Sequence, residues 1–402
     1  MKKTLTTLVV VLLPFVMSVS SFGAGFALYE YSAKGTAMGG ATVANGAEAA
    51  SLANNPALIT ELEGTQIQVG ATAVVADATT TVNGDSRSLK DNIIPVPNFY
   101  ITHKWSDDIS LGLGGFTRFG LGGEYQDYLG WAGSAYAYKM NLETFSFTPT
   151  IAIKANDEFS MAMGLEAMTI DFSQEYIQTV AALGIAAPVK LGGDGVNWGG
   201  NFSFLYKPEW AEKWALGAMY RTKVKADLKG KITTAIPTVS GDVLGSIVLP
   251  DSITAGLSFK PTDKWTMEAG IVGTFWSSYD QILIQYIGSE SAPSIRKFKL
   301  YKDTFRVNFG TQYQINDTWA VRAGYVFDKS PINEKAMDTM VPVDDRHIAS
   351  IGAGYATDAW TIDAYYGRIF GENLSGTSYY GDTMKYSHGH SDLYGITVGY
   401  KF

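Results

Sequence analysis

The chain has 402 residues, no cysteine and a formal net charge of −8. The missing cysteines exclude disulfides and thiol chemistry, and an acidic balance without long basic runs argues against nucleic-acid binding. Hydrophobic residues make up 46% of the chain, with 23 Tyr, 20 Phe and 9 Trp. Beyond the N-terminus no stretch is long and apolar enough for a transmembrane helix. The combination is typical of a membrane β-barrel, in which apolar residues occupy every second position.

The N-terminus is predicted to be a secretory signal over residues 1–23. Two lysines precede an apolar run at 5–19, and the small residues Ser21 and Gly23 predict cleavage before Ala24. The run is shorter than the roughly 20 residues that a spanning helix needs, so a retained anchor is the weaker interpretation.

Residues 24–64 are rich in Gly and Ala and show no sustained strand alternation. Phe26 and its apolar neighbours do not suit a solvated leader. In Asn55-Pro56-Ala57 the proline biases Asn55 away from the helical region, and the Asn side chain can hold a turn. We therefore expect a plug inside the barrel, with Asn55-Pro56-Ala57 against its wall.

Residues 65–402 are predicted to form the barrel. Six polar turns, each beside an aromatic residue, recur at intervals of about one strand up, a long loop and one strand down, as in outer-membrane barrels. They predict fourteen antiparallel strands with both chain ends in the periplasm and the aromatics as a girdle. The six aromatics are Trp105, Phe159, Trp214, Trp265, Trp319 and Trp360.

Alternation supports this strand count. In the last strand Tyr394 and Ile396 face lipid and Leu393 and Thr397 face the lumen, as period two requires. The first strand (65–75) is expected to pair with the last (393–402), because an open edge would leave backbone groups unpaired in hydrocarbon. The expected assembly is a monomer surrounded by outer-membrane lipid and lipopolysaccharide.

An ordered series of short motifs runs through the mature chain, at residues 25–35, 55–60, 88–93, 142–144, 220–221, 229–230, 249–250, 302–303 and 328–331. This series resembles the FadL-type transporters of Gram-negative outer membranes, which carry long-chain fatty acids and other hydrophobic compounds. The resemblance covers nearly the whole mature chain. It implies hydrophobic ligands, no cofactor and a route through loops, lumen and barrel wall.

The third and fourth long loops (173–196 and 227–250) are unusually apolar. Exposed apolar loops usually meet something apolar. Packing on each other as a lid is one interpretation, and a groove for a hydrophobic ligand is a compatible one that the resemblance favours. The groove is predicted near Leu183, Ile185, Val243 and Leu244.

Glycines cluster in the third strand. Gly112, Gly114 and Gly115 weaken a strand interior and suggest a bulge within 111–123. Ordinary curvature would explain one or two of them. In the resembling family this strand kinks inward and opens the wall sideways, so these glycines are predicted to form a lateral gate.

Inward-facing basic residues suggest an interior ligand site. Lys302 and Arg306 share parity on the tenth strand, and Arg221, Lys223 and Lys225 share it on the seventh. Such cations could bind a carboxylate headgroup or pair with lumenal Glu166, Glu268 or the plug.

Lys302 matches a basic residue that the family uses near its interior site. The family's other basic position, on the fifth strand, is Asp171 here. This departure leaves an uncharged hydrocarbon or aromatic compound open as the ligand.

Two other function classes are weighed. A general porin or adhesin would have an open lumen and polar loops, which the plug and the apolar loops oppose. An enzyme is disfavoured because no serine lies in a nucleophile context. His388 and His390 could bind metal weakly, but a polar surface loop is the better interpretation, and no metal site is predicted.

Overall fold

The computed structural model describes residues 25–180, 185–234, 240–288, 294–342 and 344–402. The predicted signal segment lies outside these ranges. Fourteen antiparallel strands, several of them interrupted, form one closed sheet, as predicted. The first strand pairs with the last from Gln66↔Lys401 to Val82↔Met384.

The fourteen strands are numbered here in chain order, and a short additional strand, Asp85–Ser88, forms a hairpin with the end of the first. They are β1 (Thr65–Val82), β2 (Ile93–Lys104), β3 (Ile109–Phe116 and Gly120–Glu124), β4 (Lys139–Lys154), β5 (Phe159–Val180), β6 (Ile185–Tyr206), β7 (Trp214–Arg221 and Val224–Thr234), β8 (Gly241–Leu249 and Ser252–Thr262), β9 (Trp265–Thr274 and Gln281–Tyr286), β10 (Ile295–Phe298 and Thr304–Gln314), β11 (Trp319–Asp328), β12 (Arg346–Ala356), β13 (Trp360–Gly371 and Leu374–Thr377) and β14 (Thr383–Lys401).

The six predicted turns all join consecutive strands at one end of the barrel. Exposed tryptophans accompany most of them, which fits an interfacial girdle. The predicted alternation also holds: Tyr394 and Ile396 are exposed, whereas Leu393 and Thr397 are buried. The exposed girdle residues are Trp105, Trp214, Trp265, Trp319 and Trp360.

Three expectations about strand limits are wrong. β1 and β14 are longer than predicted, and the third and fourth loops are largely paired strand: β5 and β6 stay in register up to Val180↔Ile185. Their β-branched residues favour extended backbone, and pairing satisfies their peptide groups. The break between Arg221 and Val224 reverses the alternation in β7, so Lys223 and Lys225 are exposed while Arg221 is buried.

Before the barrel, the segment 25–64 contains two short helices and one 3-10 helix: α1 (Ala33–Ala37), α2 (Ser51–Asn54) and Pro56–Glu61. Ser32 caps α1 by accepting the Gly35 N–H at 2.9 Å. Asn55 caps the 3-10 helix, and Pro56 stands at its first position, where no N–H is needed. Within the described ranges, three more 3-10 turns lie between strands or strand segments: Ala132–Ala135, Glu209–Ala211 and Trp276–Ser278.

No helix in the described ranges is long and apolar enough to cross a membrane.

Candidate functional site

The barrel wall is interrupted between β2 and β3. Their ladder runs from Lys104↔Ser110 to Phe99↔Gly115 and then stops. Beyond it, the outer half of β2 pairs with β1, and the second segment of β3 pairs with β4. Two strands that begin as neighbours therefore separate toward the extracellular side.

A bulge in β3 causes this separation. The ladder with β4 passes from Phe116↔Ser146 to Gly120↔Glu143, which sets residues 117–119 against 144–145. One extra residue bends a strand and reverses which face its side chains take. The bulge lies within the predicted stretch 111–123, but it follows the glycines and does not contain them.

The N-terminal segment takes the place that β2 leaves. Leu28 N–H donates to Arg118 O at 2.8 Å, and Gly120 N–H donates to Phe26 O at 3.0 Å. Ala27 and Phe119 form an isolated antiparallel bridge. The bent part of β3 is thus paired with chain from inside the barrel.

Two prolines mark the free edge of β2, a signal that sequence reasoning missed. Pro95 and Pro97 lie in the part of β2 that pairs only with β1. Because proline has no N–H, the β1 ladder must use the N–H groups of the alternate residues, so the proline nitrogens face the gap. The gap therefore exposes two fewer unpaired backbone N–H groups than a strand edge without these prolines would.

The three glycines predicted to form the gate differ in how closely other groups approach them. A Cβ on Gly115 would lie 2.2 Å from the Phe99 ring, and one on Gly112 would lie 2.5 Å from Leu52 of the N-terminal segment. Gly114 has more room, since its nearest neighbour, the Phe116 ring, is 3.2 Å away. Gly112 and Gly115 therefore let the inner segment and an aromatic ring pack onto the wall.

A buried ion cluster holds the bulge. Arg118, in the bulge, donates to Glu166 of β5 at 2.7 Å, and Arg221 of β7 lies 3.6 Å from the same carboxylate. All three side chains are almost fully buried. Arg221 also donates to Ala53 O at 3.0 Å. The cluster joins the bulge, two further strands and the N-terminal segment.

The N-terminal segment contacts lumenal faces around the barrel. Asn55 donates to Val43 O at 2.6 Å and to Phe204 O of β6 at 2.9 Å. Ala57 N–H donates to Ser203 Oγ at 3.1 Å. Phe26, Pro56 and Ala57 are also buried.

Three strands further along the barrel wall, Glu268 of β9 accepts hydrogen bonds from two backbone N–H groups of this segment. Val43 N–H donates at 2.5 Å and Ala44 N–H at 3.2 Å. Glu268 is 1% exposed and forms no ion pair with any described residue. Its carboxyl group therefore ties the N-terminal segment to β9 through hydrogen bonds to peptide groups.

Arg306 of β10 reaches the interior, as predicted from its parity. It is 6% exposed, its ion-pair partner Asp328 lies 3.4 Å away, and it donates to Gly39 O at 3.3 Å. Its guanidinium lies 4.3 Å from the Tyr29 ring centroid. The cavity beside it, which Arg118 and Arg221 also line, has a volume of about 40 Å³, room for water but not for a chain of methylenes.

Lys302 does not join this cavity. The inner part of β10 begins at Thr304, so the parity argument does not extend to residue 302. Lys302 is half exposed and pairs with Glu334 at 2.8 Å. The expectation that Lys302 faces the same interior site as Arg306 is therefore wrong, because Lys302 lies outside this cavity.

An extracellular groove has a volume of about 950 Å³. Extensions of β5 to β10 form it, together with parts of the last two loops. Its lining is mainly apolar and aromatic, as in small-molecule sites. Representative lining residues are Tyr176, Val189, Ile232, Tyr286, Ile287 and Phe298.

The residues predicted for the groove have mixed outcomes. Val243 is 1% exposed and packs in the hydrophobic core, and neither it nor Leu244 lines the cavity. Leu183 lies outside the described residues, and Ile185 is described only as the first residue of β6. The groove sits on the predicted elements but is lined by other side chains.

Lys297 is the most distinctive polar group in the groove. It donates to Gln174 Oε1 at 2.7 Å and lies 3.9 Å from the Tyr176 ring centroid. Burial, together with the neighbouring Lys299, lowers the pKa of Lys297 to about 7. Its position depends on the β9–β10 extension, which the sequence did not predict.

No group of His, Asp and Glu residues in the described ranges could hold a metal ion. His390 Nδ1 lies 3.1 Å from His388 O, and both residues belong to β14. The predicted polar loop is therefore a strand at this point.

A closed antiparallel barrel whose apolar side chains face outward defines an outer-membrane protein. Residues 15–402 match the family described as outer membrane protein transport protein (OMPP1/FadL/TodX). The chain belongs to this family of outer-membrane transporters of hydrophobic substrates.

Individual relatives of this chain are consistent with the family match. A long-chain fatty acid transport protein of Salmonella typhi is 27% identical, with 96% of each chain covered. A solved Pseudomonas aeruginosa FadL homologue superposes with a TM-score of 0.86 at 18% identity, covering 94% of this chain and 99% of the other. The P. putida toluene transporter TodX superposes with a TM-score of 0.74 at 19% identity, covering 93% of this chain and 99% of the other. These two structures show the shared fold.

Proposed function

We propose that this protein moves hydrophobic molecules from the medium through the barrel wall into the outer leaflet. Ligands are captured in the extracellular groove, pass to the interior near Arg306 and leave sideways between β2 and β3. The observation that carries the proposal is the wall gap, whose inner side is covered by the N-terminal segment.

Thermodynamics favours a lateral exit for apolar chains. Each methylene gains about 0.8 kcal/mol on leaving water, so release into periplasmic water is slow and release into lipid is downhill. The gap also leaves few backbone N–H groups without a hydrogen bond, because Pro95 and Pro97 have no N–H to donate there.

The N-terminal segment acts as the plug in this proposal. It meets the wall through Asn55, Ala57 and Val43, and the cavity of about 40 Å³ leaves no passage for ligand in this state. Ligand binding must therefore move the segment before transfer to the gap.

Two ligand classes fit the relatives. The Salmonella relative is a fatty acid transport protein, and TodX is a toluene transporter. Both classes share the apolar surface that the groove would bury. Catalysis has no part in the proposal.

The proposal is tested against a general porin by uptake and conductance. Cells that lack other transporters of this family should accumulate radiolabelled laurate or toluene only when they express the protein. The purified, unmutated protein should show no steady large conductance in planar bilayers, because its lumen is blocked. A large steady conductance without hydrophobic uptake would favour the porin.

Groove variants test the capture step. Polar substitutions at Leu183 and Ile185 are predicted to weaken uptake without unfolding the barrel, and the structure adds Ile232→Asn, a side chain that lines the cavity. Loss of apolar contact should lower the uptake rate several-fold at limiting ligand and little at saturation. Unchanged uptake at limiting ligand would remove the groove from the route.

A further inference from the structure

The outside of the barrel carries a depression on the lipid-facing side of β4 to β7. This lipid-facing depression has a volume of about 680 Å³, and exposed apolar side chains such as Met163 and Leu165 line it. On β6 the outward-facing residues run Trp198, Gly200 and Phe202, and both aromatic residues are exposed. Because glycine has no side chain, Gly200 leaves a gap between two large rings.

Two lysines stand at the extracellular end of the lipid-facing depression. Tyr220 and Thr222 are the β7 residues that line it. Lys223 and Lys225 follow on the outside of the barrel, with the buried Val224 between them. Both lysines are exposed, and neither forms an ion pair within the described ranges. The charge of this inner pair of lysines is therefore available to a ligand.

The two lysines farther out on β7 already have carboxylates near them. Lys229 is directly opposite Asp194 in the ladder with β6, and Lys231 lies 3.9 Å from Asp242. Asp227, which separates the inner pair from these outer lysines, accepts a hydrogen bond from β8 at 3.1 Å. The uncompensated positive charge of the strand is therefore concentrated at the inner pair.

The inner pair lies at the outer boundary of the membrane. Lys223 comes nine residues after the girdle residue Trp214. At about 3.3 Å per residue and a tilt of roughly 40°, this spacing raises it about 23 Å above the periplasmic girdle. The apolar band of an outer-membrane barrel is about 25 Å tall. The inner pair therefore stands where acyl chains end and lipid headgroups begin.

We propose that the inner pair and the lipid-facing depression together bind lipid A, the phosphorylated glycolipid of the outer leaflet. Its phosphates lie on Lys223 and Lys225, and one of its acyl chains fills the space beside Gly200. Lysine forms charge-assisted hydrogen bonds to phosphate, and clustered lysines at headgroup level attract anionic lipids. The site is separate from the transport route, since the wall gap lies between β2 and β3.

Shape and charge agree in this assignment. The cations stand directly beyond an apolar depression, in the order in which headgroup and acyl chains are joined in a lipid. A soluble anion would use the lysines and leave the depression empty, and a neutral lipid would use the depression and leave the lysines unpaired. A phosphorylated lipid uses both.

The test measures how tightly the purified protein retains diphosphoryl lipid A, by native mass spectrometry from detergent micelles. Dephosphorylated lipid A with the same acyl chains is the comparison probe. One double variant combines Lys223→Gln with Lys225→Gln. The matched control combines Lys229→Gln with Lys231→Gln, on the same face of the same strand. Gly200→Leu fills the depression, and heat-modifiable gel migration confirms that each barrel is folded.

We expect loss of the inner pair to weaken binding of diphosphoryl lipid A about thirtyfold, because each lysine beside an anionic lipid surface contributes about fivefold. The same variant should bind dephosphorylated lipid A as the parent does. Gly200→Leu should weaken both probes, and the control double variant should bind both as the parent does. Inorganic phosphate alone should not displace the lipid.

Several results would overturn the inference. Equal weakening in the two double variants would show a general attraction of anionic lipid to a basic strand. Parent-like binding of diphosphoryl lipid A by the inner-pair variant or by Gly200→Leu would remove the lysines or the depression from the site. Displacement by inorganic phosphate would show a simple anion site, and equally tight retention of phosphatidylglycerol by the parent would show that the site does not select lipid A.

Discussion

Deletion of Thr117 is expected to reduce uptake of laurate and toluene to the level of cells without the protein. The bulge exists because residues 117–119 oppose only 144–145. Removing one residue joins the two parts of the β3–β4 ladder in a single register, so β3 no longer needs to bend inward. The straightened strand would bring its side chains against the outer half of β2 and close the gap.

The matched control is Thr117→Ala, which removes the side chain but keeps the residue count and therefore the bulge. It should transport at close to the parent rate. Ligand binding to the groove should survive in both variants, because the groove is built from β5 to β10.

Replacing Gly114 and Gly115 by bulky residues is predicted to have the same effect as the deletion. A side chain at position 115 would force the Phe99 ring away. A folded deletion variant that transports at the parent rate would favour passage straight down the barrel.

Replacing Glu268 by alanine is expected to loosen the N-terminal segment and raise ion conductance through the barrel. The substitution leaves the N–H groups of Val43 and Ala44 without their acceptor. Each buried unpaired donor costs about 1–3 kcal/mol, so the segment loses roughly 2–6 kcal/mol of attachment. Openings of the lumen should appear as frequent current steps in planar bilayers.

Glu268→Gln keeps an acceptor oxygen at this position. Its amide oxygen can still accept both hydrogen bonds, so its conductance should lie between those of the parent and the alanine variant. Protease added from the periplasmic side should cleave within residues 26–57 in the alanine variant and spare the ligand-free parent. Cleavage of the folded parent would show that the segment is a leader and not a plug. Parent-like conductance of the alanine variant would show that the other contacts suffice to hold the segment.

The strand count could be predicted because lipid imposes a strict pattern. Outward side chains must be apolar at every second position, and short turns at the girdle recur with an aromatic residue beside them. The inward direction of the Arg306 and Glu268 side chains follows from the same alternation. Wherever a strand runs without interruption, its alternation tells which face a residue takes.

Register shifts limited the prediction of the site. The single extra residue at 117–119 has no compositional signal, and the breaks before Val224 and Thr304 moved Lys223, Lys225 and Lys302 off the predicted face. The prolines of β2 were available as a signal, since two prolines two residues apart can lie only on a strand edge. Lys297 could not be found, because its neighbours come from strands distant in sequence.

The length of β5 and β6 has a consequence for where capture takes place. Each has 22 residues, which at about 3.3 Å per residue and a tilt of roughly 40° rise about 55 Å. An apolar band of about 25 Å accounts for less than half of that height. The groove, which is built on these extensions, therefore lies outside the apolar band, so on the proposed route capture takes place on the aqueous side of the membrane.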